Sequence, residues 1–276
     1  MEAATSREER WRTEAEYFNR IASSLQVHPL EAGVRERYDP RRARTFFDKE
    51  FRFQLLRDLR GKKVLDVGCG DGSNSILLAH HGARVVGIDI SEQSIAIARR
   101  RAALEGVADR VQFECGPIEL ARFPESHFDV VWGDGVLHHV IPELELVLSK
   151  VVQWAKPAGT MVFSEPVSLH PKVRQLRLML PIPVNGSKNE RPLERAELER
   201  IQQSFVAPHV KGFSLLMRAN RWLFNSVSYE RARPLHRAFA DGLAKLDETI
   251  LSLQPLSGLA GMFVIWGSPR KSAAKP

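Results

Sequence analysis

Three closely spaced glycines, Gly68, Gly70 and Gly72, follow directly after a short apolar run. Glycine has no Cβ, so a backbone built from it can turn sharply and come close to a ligand. The apolar run predicts a strand over 63–67, and the residues after the glycines predict a helix over 73–81. A glycine turn between a strand and a helix presents main-chain N–H groups to a ligand. The sequence therefore predicts a cofactor-binding site at this turn.

Acidic residues at and beyond the turn indicate the kind of cofactor. Asp89 ends the second predicted strand, 84–88, at the interval of about 20 residues that a βαβ unit needs. A carboxylate at that position can accept hydrogen bonds from both hydroxyls of a ribose. Asp66 lies within the strand and Asp71 in the turn, and negative charge beside the turn disfavours a pyrophosphate and suits a cation. Together these residues favour a nucleoside ligand that carries positive charge.

S-adenosylmethionine (SAM) is such a ligand, because it carries a sulfonium and an ammonium group. At these positions the sequence resembles the class I SAM-dependent methyltransferases. Residues 64–72, V-L-D-V-G-C-G-D-G, resemble the first motif of that family, and residues 87–91, G-I-D-I-S, resemble its acidic-loop motif. Residues 128–140 and 154–166 resemble its fourth-strand motif and its L-K-P-G-G segment. The resemblance covers about residues 50–166.

The resemblance implies an α/β fold, a doubly wound, mostly parallel seven-stranded sheet of the Rossmann-like methyltransferase type with helical caps. The alternation of strand and helix patterns along the chain favours the same architecture. The predicted strands are 63–67, 84–88, 110–114, 128–132, 159–164, 210–217 and 258–266, and in the family the last two form a partly antiparallel pair. The predicted helices are 9–24, 45–59, 73–81, 91–105, 142–155, 192–205, 219–227 and 235–253.

We divide the chain into three parts on this basis. Residues 1–60 are predicted to form an N-terminal helical cap, and residues 61–166 the SAM-binding core. Residues 167–276 are predicted to supply the last strands of the core together with helical insertions that cover the substrate. Ser91 is the expected N-cap of the helix 91–105. In the helix 192–205 we expect Glu194, Glu197 and Glu199 to face outward.

The resemblance also implies which residues contact the cofactor, with main-chain groups of the last two at its amino-acid end: Asp66, Gly68, Cys69, Gly70, Asp71, Asp89, Ile90, Pro117, Ile118, Glu119, Trp132 and Gly133. The chain departs from the family after the third strand, where Gly116-Pro117 stands in place of the usual Gly-Asp. Proline can offer neither a carboxylate nor an N–H group to the adenine. Three alternatives remain for the adenine: main-chain groups around Ile118, the Glu119 side chain, and apolar packing with Ile90.

The catalytic candidates follow the fourth and fifth strands. The carboxyl ends of the strands face the ligand in such a sheet, and a hydroxyl acceptor would benefit from a general base. His138 is predicted as that base or as a substrate contact, with His139 as the second candidate, since imidazole titrates near neutral pH. The alternative is that the two histidines cap the next helix and pack. Glu165 is the third candidate, and its alternative role is to pair with an arginine of a cap.

The acceptor is predicted to contact one acidic residue and several aromatic residues of the two caps, each of which could instead belong to the core: Asp134, Tyr17, Phe18, Tyr38, Trp222 and Tyr229. No metal site is expected. The histidines at 28, 170, 209 and 236 are scattered without the spacing of metal ligands, and the two cysteines are isolated.

The net charge of +7 is concentrated in the C-terminal part of the chain. Residues 167–276 hold 17 of the 40 basic residues and only 8 of the 33 acidic ones. Such an asymmetry suits a nucleic acid, a membrane surface or an anionic substrate, although a solvated basic cap gives the same composition. Residues 172–180 are basic and apolar at helical spacing, which is compatible with peripheral membrane contact.

The cysteine content and the N-terminus bear on location. Two cysteines argue against a disulfide framework and against a cysteine-rich zinc module. Residues 1–12 are charged and polar, so they do not read as a signal peptide. No apolar run approaches the ~20 residues that span a bilayer. We therefore expect a cytoplasmic protein without a transmembrane segment. The oligomeric state is not predicted.

The function predicted from these residues is SAM-dependent methylation of a small, largely apolar molecule, such as a natural product or a quinone-like or isoprenoid-like compound. Two alternatives stay open. The first is a nucleic-acid or protein methyltransferase, against which stands the lack of an Asn/Asp-Pro-Pro-Tyr-like motif in Trp132-Gly-Asp-Gly135. The second is a lipid methyltransferase associated with a membrane surface.

Overall fold

A seven-stranded sheet with helices on both faces forms the centre of the computed structural model, which describes residues 6–170, 190–217 and 229–271. The strands are β1 (Lys63–Val67), β2 (Arg84–Asp89), β3 (Val111–Cys115), β4 (Phe128–Asp134), β5 (Ala155–Pro166), β6 (His209–Phe213) and β7 (Met262–Gly267). The helices are α1 (Arg7–Ser23), α2 (Val34–Arg37), α3 (Asp48–Leu56), α4 (Ser73–His80), α5 (Glu92–Leu104), α6 (Leu144–Trp154), α7 (Arg195–Gln203) and α8 (Pro234–Ser252).

The strand order is β3-β2-β1-β4-β5-β7-β6. The first five strands run parallel, and β7 pairs antiparallel with both β5 and β6. The predicted fold class and the antiparallel pairing of the last two strands are thereby confirmed. The chain leaves β1 toward β2 on one side, and β4 lies on the other side of β1. A crevice opens beyond the carboxyl ends of the strands at such a point.

Alternate side chains of each strand enter different layers of the core, because successive Cβ atoms of a strand point to opposite faces. On one face Val64 packs in a cluster with Ile76 of α4. On the other face Leu65 packs in a cluster with Val147 and Val151 of α6. All of these side chains are fully or almost fully buried. Packing on both faces holds β1 in place within the sheet, and it therefore fixes the position of the glycine turn that follows β1.

The observed helix ends confirm one predicted cap and correct one prediction of exposure. Ser91 accepts a hydrogen bond from the N–H of Ser94 and caps α5 as expected. Helix α7 begins later than predicted, and its first turn carries a capping box in which Glu197 accepts from the N–H of Glu194. The prediction that Glu197 faces outward is therefore wrong, since its carboxylate is buried and also pairs with Arg191 at 2.7 Å.

Strand β6 is shorter than the predicted segment 210–217, for a local reason. Asp247 of α8 is buried, and its carboxylate accepts hydrogen bonds from the N–H groups of Leu215, Leu216 and Met217 at 2.7–3.0 Å. These donors are therefore unavailable to a neighbouring strand. Ser214, with φ of 62°, turns the chain away from the sheet directly after the strand.

Other boundaries differ by a few residues. Helix α3 is shorter than the predicted helix 45–59, because Arg57 takes a positive φ of 53° and ends it. Strand β4 continues two residues beyond the prediction, to Asp134, and β7 begins at Met262 because residues 254–259 form a 3-10 helix. The predicted helix 219–227 and the basic segment 172–180 lie outside the described residues. Within the described residues, no helix is both long and apolar enough to cross a bilayer.

Candidate active site

A cavity of about 220 Å³ opens at the carboxyl ends of β1, β2 and β4, at the point where the strand order changes direction. Helix α1 lies across it and contributes four side chains, Arg10, Trp11, Glu14 and Phe18. The remaining lining comes from the ends of the strands and the segments that follow them: Gly68, Gly70, Ile88, Asp89, Ile90, Gly116, Pro117, Ile118, Glu119, Asp134, Gly135, Val136, His139 and Val140. Most of the cofactor contacts predicted from sequence therefore surround one cavity.

Asp89 is joined to the glycine turn by hydrogen bonds. Its Oδ2 accepts from the N–H of Gly70 at 2.9 Å, and its Oδ1 accepts from the N–H of Ser91 at 2.8 Å. Burial raises the pKa of Asp89, although both N–H groups act in the opposite direction. Each carboxylate oxygen has a second lone pair with which it can accept from a ribose hydroxyl. Gly70 has φ of +53°, and a Cβ there would meet no protein atom within 4 Å.

Five residues predicted as cofactor contacts are absent from the lining that the described residues form: Asp66, Cys69, Asp71, Trp132 and Gly133. The first three support the turn instead. Asp66 is buried beneath it and accepts from the hydroxyl of Ser75 at 2.6 Å. Burial raises the pKa of Asp66 to about 7. Asp71 pairs with Arg101 at 2.7 Å. Cys69 is buried too, and its Sγ would lie 2.9 Å from a Cβ on Gly87. The charge of Asp71 is thus matched within the protein and is not directed at a ligand.

The wall of the cavity beyond Asp89 is apolar except for one carboxylate. Ile90, Pro117 and Ile118 line it. Glu119 is buried in the same wall, and its Oε1 accepts a hydrogen bond from the indole N–H of Trp11 at 3.1 Å. Helix α1 therefore contacts the one acidic side chain that could replace the carboxylate missing at Pro117. Each of the three alternatives for the adenine has its group at this wall.

At the end of β4, Asp134 pairs with a buried arginine that the sequence did not predict at this site. Arg52 of α3 is buried, and its Nη2 lies 2.8 Å from Asp134 Oδ1. Its guanidinium lies over the ring of Trp132 at 4.4 Å, and Asn74 donates to Asp134 Oδ2 at 2.9 Å. Burial alone would raise the pKa of Asp134, but Arg52 holds it below the ordinary value. Asp134 reaches the cavity as an ionised group, while the side chain of Trp132 is enclosed in the core.

The surroundings of His138 contradict its predicted role as a base that faces the acceptor. Its Nδ1 lies 2.8 Å from Glu165 Oε2, and its Nε2 lies 3.0 Å from Glu190 Oε1. Burial alone would lower the pKa of His138, but the two carboxylates raise it to about 9. An imidazole that is already protonated, with both nitrogens engaged, cannot accept a proton from a substrate.

Glu165 does not face the acceptor either. Its Oε1 accepts from the N–H groups of Val136 and Leu137 at 3.0 and 2.8 Å, and the side chain is fully buried. The carboxylate thereby fixes the turn that leads from β4 to the 3-10 helix Leu137–His139. The predicted catalytic role of Glu165 is replaced by a positioning role.

His139, the second candidate, is the histidine that lines the cavity. Its ring packs edge-on against Phe18 of α1, with ring centroids 5.3 Å apart. Its Nδ1 lies 3.2 Å from Glu14 Oε2, also on α1. The two neighbouring histidines therefore differ in what they face: His138 faces the protein interior and His139 faces the cavity.

Of the aromatic residues predicted at the acceptor, Phe18 is the one found in the described lining. Tyr17 packs on Phe18 but does not reach the cavity. Tyr38 packs on Phe53, and Tyr229 hydrogen-bonds with Arg44 at a second cavity. The predicted grouping of Tyr38 and Tyr229 with Phe18 is therefore wrong. Trp222 lies outside the described residues.

The fold and the cavity define a class I SAM-dependent methyltransferase. Residues 58–205, which make up more than half of the chain, match the family model described as a methyltransferase domain, and the chain belongs to this family. Solved structures share the fold. The geranyl diphosphate C-methyltransferase of Streptomyces coelicolor A3(2), solved with Mg²⁺, geranyl diphosphate and S-adenosylhomocysteine, has a TM-score of 0.60. The match covers 97% of this chain and 100% of that one at 15% identity, which indicates a shared fold.

Curated relatives share part of the sequence. The ubiquinone biosynthesis O-methyltransferase of Neisseria meningitidis serogroup C is 44% identical over 117 residues, which are 42% of this chain and 48% of the relative. The enzyme of that name from Coxiella burnetii is 37% identical over 106 residues, or 38% and 44% of the two chains. This chain therefore aligns with about half the length of the curated relatives that it matches.

Proposed function

We propose that this chain transfers the methyl group of SAM to a hydroxyl group of a small, largely apolar molecule, quinone-like or isoprenoid-like in structure. The observation that carries the proposal is the joining of Asp89 to the glycine turn at the edge of a cavity with mostly apolar walls. The relatives named ubiquinone biosynthesis O-methyltransferase support oxygen as the methylated atom and a quinone-like acceptor.

The positions of the groups around the cavity support one orientation of the cofactor. The ribose hydroxyls donate to Asp89, and the adenine lies between Ile90 and Ile118, where its amino group can donate to Glu119. The amino-acid end then extends along the glycine turn toward Asp134, whose carboxylate can accept from the ammonium group. In this pose the SAM methyl group faces the part of the cavity that lies between the end of β4 and helix α1.

The acceptor occupies that part of the cavity, against Phe18, His139 and Val140. Methyl transfer is an in-line displacement: a lone pair of the acceptor oxygen forms the new C–O bond as the C–S bond breaks. S-adenosylhomocysteine leaves with a neutral sulfur, and the hydroxyl proton passes to water. Positioning of the two reactants and exclusion of bulk water by α1 supply much of the rate enhancement.

The position of α1 across the cavity favours a small acceptor over a nucleic acid or a protein side chain. Helix α1 is fastened at both ends. Arg7 and Arg10 pair with Glu143 near its beginning, and near its end Asn19 Oδ1 accepts from the hydroxyl of Ser91 at 2.8 Å. A helix held at both ends across the cavity leaves less room for a polymer than for a small molecule. We accordingly assign α1, and with it the N-terminal part of the chain, a cap function.

A labelling experiment tests the proposal. The purified full chain is incubated with SAM that carries a labelled methyl group and with one of three acceptors: a prenylated catechol, a pool of RNA, or vesicles of phosphatidylethanolamine. We expect label in the catechol alone, as a methyl ether by mass spectrometry, and none in the same catechol with its hydroxyls already methylated. Label in RNA that falls steeply with salt, or label in the lipid, would replace the proposed acceptor class.

A further inference from the structure

His138, His139 and Glu190 come together beside the cavity, and His139 is the one of the three that lines it. Glu190 is distant from the histidines in sequence. Glu190 Oε1 lies 3.0 Å from His138 Nε2 and 4.0 Å from His139 Nε2. Within the described part of the chain, these three residues form a group whose possible ligand atoms all lie within 4.8 Å of one another. The two imidazole rings lie side by side, with centroids 4.2 Å apart.

The opposite nitrogen of each imidazole faces a further carboxylate. His138 Nδ1 lies 2.8 Å from Glu165 Oε2, and His139 Nδ1 lies 3.2 Å from Glu14 Oε2. A carboxylate at Nδ1 is the usual partner of a metal-bound histidine, because it fixes the ring and raises the basicity of Nε2. His138 has this partner in a hydrogen bond, and His139 has Glu14 within ion-pair distance. Both Nε2 atoms face the same carboxylate oxygen.

We propose that His138, His139 and Glu190 bind a divalent transition-metal ion. Two imidazole nitrogens and one carboxylate oxygen suit zinc or iron(II), and a site with three protein ligands leaves a position open. Metal–ligand bonds of about 2.1 Å place neighbouring ligand atoms ~3–4 Å apart. The 3.0 and 4.0 Å separations at Glu190 Oε1 agree with that spacing. A modest rotation of the imidazole rings brings the remaining ligand atoms, which lie within 4.8 Å of one another, to the same spacing.

The open position faces the cavity, since His139 and Glu14 both line it. If the proposed function holds, the acceptor hydroxyl occupies this position. The metal ion lowers the pKa of a bound hydroxyl, which then releases its proton to water. The oxygen attacks the methyl group as an oxyanion. In this arrangement the metal ion promotes the loss of the hydroxyl proton, a role that His138 could not fill as a free base. His138 instead helps to bind the metal ion.

Metal binding is tested directly on the full chain without a histidine tag. The protein is stripped with EDTA, dialysed, and titrated with Co²⁺ by visible absorption and with Zn²⁺ by calorimetry. We expect one ion per chain. The variants Glu190→Gln and His139→Ala should weaken binding by more than about 100-fold, and Glu165→Gln by about 10- to 100-fold.

His80→Asn is the matched control. His80 is a similarly shielded imidazole that faces a carboxylate, Glu105, at 2.9 Å, but it does not belong to the group described above. Its variant should bind metal like the original chain. The affinity for S-adenosylhomocysteine, measured for every variant, shows whether each one is folded with an intact cofactor site.

Two results would overturn the proposal. One is a stripped chain that binds S-adenosylhomocysteine but takes up neither Co²⁺ nor Zn²⁺, which would leave His138 as an imidazolium held between two carboxylates. The other is metal uptake that Glu190→Gln and His139→Ala leave unchanged, which would place the ion elsewhere. Failure of the proposed function has a different signature: stoichiometric metal binding at this site without methylation of the catechol.

Discussion

At the scale of single residues, Asp89 has two tasks, since its carboxylate fixes the glycine turn and offers acceptors to the cavity. In Asp89→Ala the ribose hydroxyls lose their partner. We expect the affinity for SAM to fall by about 5- to 150-fold, which corresponds to ~1–3 kcal/mol for polar groups left unpaired. Calorimetry measures the change. Asp129→Asn is the control, because Asp129 accepts a hydrogen bond from the N–H of Lys63 at the end of the strands that is opposite to the cavity. Unchanged affinity in Asp89→Ala would remove Asp89 from the cofactor site.

Gly70 tests whether the turn itself touches the cofactor. A Cβ at Gly70 would extend into open space that belongs to the cavity, and φ there is +53°. Gly70→Val should therefore abolish SAM binding. Gly106→Val is the matched control, because Gly106 also has a positive φ, +68°, and open space at its Cβ, but it lies after α5, away from the cavity lining. Both variants carry backbone strain, and the first alone should lose the cofactor. Equal losses in both would attribute the effect to strain.

Asp66 makes stability depend on pH. Its pKa is about 7 in the folded protein because of burial, and about 3.9 in an unfolded chain. Between these values the folded state binds more protons than the unfolded state, so the free energy of unfolding should fall as pH rises from ~4 to ~7. In Asp66→Asn this part of the pH dependence should disappear. Urea denaturation at pH 5 and pH 8 measures it. An identical pH dependence in the two proteins would show that Asp66 does not titrate in this range.

The sequence predicted some of these residues and could not predict others. Asp89 is predictable because its spacing from the glycine turn follows from one βαβ unit. The difference between His138 and His139 is not, since it depends on how the short 3-10 helix after β4 orients two neighbouring side chains. The partners Arg52 and Glu190 are not predictable either, because each meets its counterpart across many residues. An arginine between Phe51 and Phe53 in an apolar helix is a signal that could have identified Arg52.

At the scale of secondary-structure elements, the strands of the core are predictable because apolar runs bounded by glycine and charged residues fix them. Strand β6 shows the limit of that reasoning. The sequence 214–217 is as apolar as a strand, yet Asp247 of α8 takes its N–H groups. The predicted helices that correspond to α4, α5 and α6 are found between the strands of the core. The placement of α1 over the cavity depends on contacts with residues far along the chain.

The ion pairs of Glu143 with Arg7 and Arg10 fasten the beginning of α1. In Glu143→Ala we expect the cap to open more often, so that S-adenosylhomocysteine dissociates about 3- to 10-fold faster, a loss of ~1 kcal/mol typical of partly exposed ion pairs. Stopped-flow fluorescence measures the rate. Glu145→Ala is the matched control, because Glu145 lies two residues away with its side chain 80% exposed. A rate that matches the control would show that α1 does not limit cofactor release.

At the scale of the whole molecule, the cavity is formed by segments that lie far apart in the sequence. The glycine turn and Asp89 come from the first βαβ unit, the wall with Glu119 comes from the segment after β3, and α1 closes the site from outside the sheet. The family match covers residues 58–205 and therefore does not include α1. The segments that form the cofactor half of the site thus lie within the family match, and α1, which covers the cavity, precedes it in the sequence.

A ligand held between α1 and the sheet should stabilise the two together. At a concentration 100 times its Kd, S-adenosylhomocysteine should raise the free energy of unfolding by about 2.7 kcal/mol. At the same concentration the 5- to 150-fold weaker binding expected of Asp89→Ala should reduce the rise to between ~0.3 and ~1.8 kcal/mol. Hydrogen exchange should slow in α1, which contributes four side chains to the lining, and stay unchanged in α8, which contributes none among the described residues. Exchange followed by mass spectrometry distinguishes the two helices. Protection of α8 without protection of α1 would mean that the cofactor site is closed from the C-terminal side, and that α1 is a structural helix.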